Sequence, residues 1–520
     1  MAANPSIQLG TDGNWAIKED NLLAYKKDGT RFFNKEFDFT RGSLATFVDK
    51  DGLIKVSGVT DTELVTNGDF STDSDWSNFG TPTTSEQSTD KAYLGSYSWH
   101  VVATAFRQGI FSPNNFSLVN GKTYKASLWI YAVDGAEILS GVTNSDASVF
   151  TPRAVTQGQW TNVVYYFTAN ASSASYISIL SSSSTLEFYV DNVSVKEIQT
   201  DVPRIDFTDD TKGHLLLEPQ STNLVTYSED FSNSSWLKQS NITPTYNTTE
   251  TLSPDGTHNA TKLIGNGSDG IFVQPNVTGV VSRSVYLKSV TGNVNVLLKD
   301  PILTVTVKTL SLNENWQRFE LVESNGHGSR SGLWVDDIPS TGIYMWGAQI
   351  ESQSFATSYI PTNGSAVTRN AEVCNNSGSA QDFNDSEGVL YAEFNTLSTS
   401  YGFPTMLVSD GTNNNSVSIF PVGLGTNNIQ AQVNSGGSTS FVKITSGYNP
   451  TQYNKIAVKY QKDNFSLYIN GTQVSTDNSG NAPIGLNKFE FKNNFFGRVR
   501  NVQVFNKALT DRELEILTIQ

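Results

Sequence analysis

From Tyr124 to Tyr131 the chain reads YKASLWIY, and its positions alternate. Tyr124, Ala126, Leu128 and Ile130 share one face of an extended strand, and Lys125, Ser127, Trp129 and Tyr131 share the other. Trp160 to Phe167 (WTNVVYYF) and Leu186 to Val195 (LEFYVDNVSV) show a similar period. Turn clusters such as Val119-Asn-Gly-Lys122 separate these runs. Many short strands without convincing helices predict an all-β chain.

The pattern is stated twice. Glu63 to Trp76 reads ELVTNGDFSTDSDW, and Asn223 to Trp236 reads NLVTYSEDFSNSSW. Trp160 then has a counterpart in Trp316, and Tyr189 in Tyr344, in the same order and at nearly constant separation. Two copies of one domain, each about 140 residues and of ordinary domain size, are therefore expected. The last segment differs. Lys455–Tyr460 and Phe465–Ile469 predict a hairpin, Asn470-Gly471 a second turn, and Thr510 with Glu513 a capping box on a short helix.

Composition fits this picture. Only 16% of the 520 residues are charged, and Ser, Thr, Asn and Gly abound. The net charge of −15 argues against nucleic acid or an anionic membrane as partner. Cys374 is the only cysteine, so no intrachain disulfide forms. The N-terminus lacks a basic segment followed by an apolar run, and no apolar run reaches the ~18 residues of a membrane span. Cytoplasmic synthesis without a signal peptide, and no membrane insertion, are the expectations.

Several stretches carry a family likeness. The N-G-D-F opening, the Tyr124–Trp129 strand and the closing Tyr189-Val-Asp-Asn-Val193 resemble a carbohydrate-binding-module jelly roll. Leu216–Leu224 (LLEPQSTNL), Trp346–Thr362 (WGAQIESQSFATSYIPT) and Gly364–Arg369 resemble the version found in bacteriophage structural proteins. Phe39–Phe47 and Val202–Phe207 (VPRIDF) resemble the segment preceding that phage domain, here split by the first jelly roll as by an insertion. Residues 380–520, ending in Phe496–Phe505 and Leu509–Leu514, resemble the laminin-G-like, concanavalin-type sandwich.

These likenesses imply four parts: an N-terminal virion-attachment segment at 1–60 that packs with 200–222, an inserted jelly roll at 61–199, a phage-type jelly roll at 200–370, and a laminin-G-like sandwich at 371–520. The fold class is tandem jelly-roll β-sandwiches plus a concanavalin/laminin-G-like sandwich. The implied role is a virion fibre, spike or decoration adhering to host surface polysaccharide, in contact with other virion proteins and assembled as a homo-oligomer, a trimer by analogy with such appendages. A capsid decoration without glycan ligand and a polysaccharide depolymerase are the alternatives. No G-x-S-x-G, phosphate loop or E-x-D-x-x-E strand is present, and the four histidines are scattered, so no enzyme is expected.

Two sites follow. Trp129 and Tyr131 lie on the strand face away from the core, where they either stack on a pyranose ring or pack against a neighbouring domain. Asp69 and Asp191 match the positions at which the carbohydrate-binding family holds a structural Ca²⁺, an ion that prefers such hard oxygen ligands. Beyond that calcium no cofactor is expected.

Overall fold

The computed structural model describes residues 4–519 apart from 14, 19–20, 29–30, 114–115, 300–306, 329–331, 399–403 and 422–427. Two five-stranded sheets face each other in each jelly roll. In the first copy one sheet runs Trp160–Thr168, Thr123–Ala132, Leu186–Ile198, Ser98–Ala103, Thr84–Ser88. In the second it runs Gln317–Gly328, Val277–Ser289, Ile343–Glu351, Thr261–Ile264, Thr243–Thr245. The opposing sheets match strand for strand as well.

The doubled sequence is a doubled corner. Phe70 lies 5.0 Å from Trp76, and Phe231 lies 4.8 Å from Trp236, ring centre to ring centre. The Trp76 indole N–H donates to Asn67 O at 3.0 Å, and the Trp236 indole to Tyr227 O at 2.8 Å. Each tryptophan thus buries its ring and still satisfies its one polar atom on the chain nine residues back. Tyr124, Ala126, Leu128 and Ile130 are all buried in the first core, as the alternation predicts.

The C-terminal sandwich is wider than residues 371–520. Its sheets have eleven and seven strands, and the N-terminal segment supplies strands to both. Ile7–Leu9 and His214–Leu217 pair with Val502–Val504 and Gly497–Val499 respectively, along one edge of the strand Gly497–Phe505. Asp38–Thr40 closes the seven-stranded sheet beside Val373–Ser377. The division at residues 60 and 371 therefore needs redrawing. Ile7, Leu9, Phe37, Phe39, Leu215 and Leu217 share one core with Val499, Val502 and Val504, because only that core covers their apolar side chains.

A buried ionic junction ties the second jelly roll to this sandwich. Arg204 Nε and Nη2 donate to Glu372 at 2.8 and 2.5 Å, and Nη2 also donates to Glu218 at 2.8 Å. Arg41 Nη1 donates to Glu372 at 3.0 Å, and Arg369 Nη1 lies 3.0 Å from Glu218. All three guanidinium side chains are fully shielded from solvent. Ser358 Oγ donates to Glu218 at 2.6 Å, and its backbone N–H does so at 2.7 Å. Glu218, Ser358, Arg204 and Arg369 all come from the motif stretches VPRIDF, LLEPQSTNL, WGAQIESQSFATSYIPT and Gly364–Arg369. In this chain those stretches build an interdomain joint.

The helix Asp511–Thr518 carries the expected capping box between Thr510 and Glu513. His327 falls in the paired strand Gln317–Gly328.

Candidate functional site: an aromatic row on the first jelly roll

Register decides which side chains meet. Tyr131 pairs with Trp160 on one side and Tyr189 on the other, and Tyr189 pairs with His100. All four therefore stand in one row across four adjacent strands, on the face away from the core. At about 4.8 Å per strand the row extends roughly 14 Å.

The rings lock one another. Tyr131 meets Trp160 edge-on at 5.8 Å and Tyr189 at 6.4 Å. The His100 ring stacks on Tyr189 at 4.3 Å with 6° between planes, and its Nε2 lies 3.0 Å from Glu187 Oε1. Lys91 places its ammonium 4.3 Å from the Tyr131 ring centre. Trp129, Tyr131 and Trp160 are half-buried, whereas Tyr189 is 5% exposed. Burial, with Glu187 and Asp90 adding to it, raises the pKa of the Tyr189 phenol. It stays a neutral O–H donor at neutral pH.

The predicted pair Trp129 and Tyr131 behaves unequally. Tyr131 is central to the row. Trp129 sits one step along the strand, and Tyr93 lies flat on it at 3.6 Å with 13° between planes. One ring face of Trp129 is thus already covered from within the chain. Tyr93 in turn approaches Trp160 at 6.0 Å and continues the aromatic surface. Burial raises its phenol pKa too.

Asp191 holds the loop that carries Tyr93. Its Oδ2 accepts the backbone N–H groups of Tyr93 and Leu94 at 2.8 and 3.1 Å, and its Oδ1 accepts that of Asn192 at 2.7 Å. Burial pushes the Asp191 carboxyl up, these three bonds oppose the shift, and the charge of Asp69 adds to it. The two aspartates are thus within electrostatic reach. Asp69 is exposed and accepts the N–H and O–H of Ser71. They fit calcium in donor type and supply two carboxylates. Among the described residues no group of three or more His, Cys, Asp or Glu is gathered, so other oxygens would have to complete the six to eight that calcium takes.

At the other end of the same face Lys125 and Tyr166 turn toward the second jelly roll, within reach of the charges of Asp255 and Glu229. Asn247 Nδ2 donates to Thr156 Oγ1 at 3.1 Å, and Gln159 Nε2 to Asn247 O at 3.3 Å. The second jelly roll thus packs along the Trp160–Thr168 edge of this sheet, reaching Gln159 beside Trp160, and the aromatic row runs from that edge toward His100.

Residues 62–185 match a carbohydrate-binding domain. Residues 376–515 match the concanavalin A-like lectin/glucanases superfamily. Both matches fall on parts of the chain. No curated protein matches. Among solved structures, the tandem CBM22-1–CBM22-2 domains of Paenibacillus barcinonensis Xyn10C are 14% identical, covering 57% of this chain and 98% of theirs, with a TM-score of 0.23. The Ruminococcus gnavus IT-sialidase CBM40 bound to α2,3-sialyllactose is 16% identical, covering 28% of this chain and 93% of its own, with a TM-score of 0.23. Mouse laminin α1 domains LG4-5 are 10% identical, covering 47% and 90%, with a TM-score of 0.19. The chain thus carries a carbohydrate-binding-module-like domain and a laminin-G/concanavalin-like domain in an all-β architecture.

The row sits within the carbohydrate-binding domain together with the adjoining closing strand. Sequence alone singled out Tyr131 but used Trp160 and Tyr189 only as landmarks of the repeat, and missed Tyr93, Lys91 and His100. A four-strand register, needed to put them in one line, is not written in local alternation.

Proposed function

We propose that this protein binds an extended glycan along the row Trp160, Tyr131, Tyr189 and His100. The observation that carries the reading is that row itself: aromatic rings, phenol hydroxyls and an imidazole, aligned across one sheet face of a carbohydrate-binding domain. Rings take the apolar faces of sugars, and the phenol and imidazole groups take hydroxyls. The chain acts by adhesion rather than catalysis.

The finer reading is a virion surface appendage or decoration of a bacteriophage, adhering to host polysaccharide. Its support is the likeness of the LLEPQSTNL and WGAQIESQSFATSYIPT stretches to phage structural proteins. A structural Ca²⁺ held by Asp69 and Asp191 belongs to the same reading, with their donor type and the likeness to the carbohydrate-binding family as its support.

The test is binding of the full chain to extracted bacterial polysaccharides by affinity electrophoresis, with competition against phage adsorption. Saturable binding lost in Tyr131→Ala and Trp160→Ala supports the reading. Binding unchanged in both variants, or no binding to any polysaccharide, overturns it.

A further inference from the structure

The second jelly roll repeats the row with different chemistry. Lys288 pairs with Tyr344, and Tyr344 pairs with Lys262. Trp316 stands on the far side of Lys288, whose ammonium lies 5.3 Å from the Trp316 ring centre and 5.2 Å from that of Tyr344. The order is thus Trp316, Lys288, Tyr344, Lys262, where the first copy has Trp160, Tyr131, Tyr189, His100. Trp316 and Tyr344 keep the places of Trp160 and Tyr189. The other two positions have become lysines, two strand spacings or about 10 Å apart with a tyrosine between them.

A carboxylate already occupies this row. Glu250 pairs with Lys262 Nζ at 2.7 Å and accepts the Tyr344 hydroxyl at 2.8 Å. Its side chain is 48% exposed, so the pair is a weak one on the rim and its replacement costs little. Lys288 Nζ donates to Thr251 Oγ1 at 2.6 Å, on the same loop. Burial lowers the Lys288 pKa, with Glu314 opposing. An arriving anion is therefore welcome there.

We infer that the Trp316–Lys288–Tyr344–Lys262 row of the second jelly roll binds an acidic saccharide, with its carboxylate in the place now held by Glu250. The inference rests on the glycan-binding reading of the chain but concerns a separate site. Trp316 supplies a ring contact, the buried Tyr344 offers its hydroxyl, and Lys262 and Lys288 supply the charge that selects a uronate over its neutral analogue. The overall charge of −15 opposes a densely charged polymer, so a short or sparsely charged acidic glycan is the fitting class.

The test compares trigalacturonic acid with its trimethyl ester on the full chain by titration calorimetry. The ester keeps the rings and loses the charge. Expected are at least tenfold tighter binding of the acid, at least a tenfold loss of acid binding in Lys262→Gln, and a several-fold gain in Glu250→Gln, which removes the resident carboxylate. A gain cannot come from misfolding. Equal binding of acid and ester, no binding in either wild type or Glu250→Gln, or no gain in Glu250→Gln overturns the inference. Trp160→Ala separates the two readings. If it abolishes acid binding, the acid sits on the first jelly roll and this inference falls alone. If acid binding persists while no neutral glycan binds anywhere, the reading of the first row falls alone.

Discussion

Glu372→Gln tests the interdomain joint. The substitution keeps the shape of the side chain and removes its charge. In the native protein two carboxylates face three guanidiniums: Glu372 serves Arg204 and Arg41, and Glu218 serves Arg204 and Arg369. Neutralising Glu372 leaves three buried cations with one anion. An amide also cannot accept from Arg204 Nε, Arg204 Nη2, Arg41 Nη1 and the Glu218 backbone N–H, all of which Glu372 now does. Removing one partner of a buried ionic cluster costs about 3–5 kcal/mol. For a cooperative unit of about 150–250 residues each kcal/mol moves Tm by about 2–4 °C, so the drop should be roughly 6–20 °C. Differential scanning calorimetry is the assay, with the exposed Asp61→Asn as control. pH supplies a second readout. Burial alone would push both carboxyls up, but the arginines outweigh it and hold Glu372 and Glu218 below the usual range. A depressed carboxylate stabilises the fold above its unfolded pKa near 4.3 and loses that contribution as pH falls through the folded value. The joint should therefore hold Tm flat from pH 8 to 5 and weaken only below about pH 4. A Glu372→Gln protein within 1 kcal/mol of wild type would refute the account.

Other outcomes follow from the same structure. Asp191→Asn weakens the anchor of the Tyr93 loop, so glycan affinity should fall about tenfold while Tm moves far less than in Glu372→Gln; unaltered affinity would show that the loop does not shape the row. Millimolar Ca²⁺ should raise Tm relative to chelator, and Asp69→Asn should abolish the difference; identical melting curves would remove calcium from the first jelly roll. Residues 371–520 produced alone should aggregate, because the strand Gly497–Phe505 loses the partners Ile7–Leu9 and His214–Leu217 and the core loses their apolar side chains; a monodisperse, cooperatively melting product would contradict the wider sandwich.

Much of the fold was legible because it is written locally. Alternation over Tyr124–Tyr131 told inward from outward positions, and the repeated Phe-to-Trp spacing told that a domain recurs. What was not legible depends on distance along the chain. Ile7–Leu9 is three residues long, too short for any period to register, and its partner lies near residue 503. The cover on Trp129 was not foreseen because Tyr93 reaches it from a loop with no periodicity of its own. Glu218 and Arg369 were visible as parts of family-like stretches, but only their convergence reveals a joint. The chemistry of the second row was hidden for the same reason: Lys262, Lys288 and Trp316 become neighbours only through strand pairing.

The way the jelly rolls are attached has a mechanical consequence. Each leaves the sandwich and returns to it at one place. Gln199 N–H donates to Gly58 O at 2.8 Å beneath the first, and Ser221 pairs with Arg369 beneath the second. A body held by two chain crossings swivels far less than one on a single linker, and one proteolytic cut does not set it loose. Torque applied to a jelly roll is thus passed to the sandwich instead of being lost in rotation. The Trp160 and Trp316 rows, held this way, keep a fixed mutual bearing, so a ligand engaged by one would meet the other at a defined spacing.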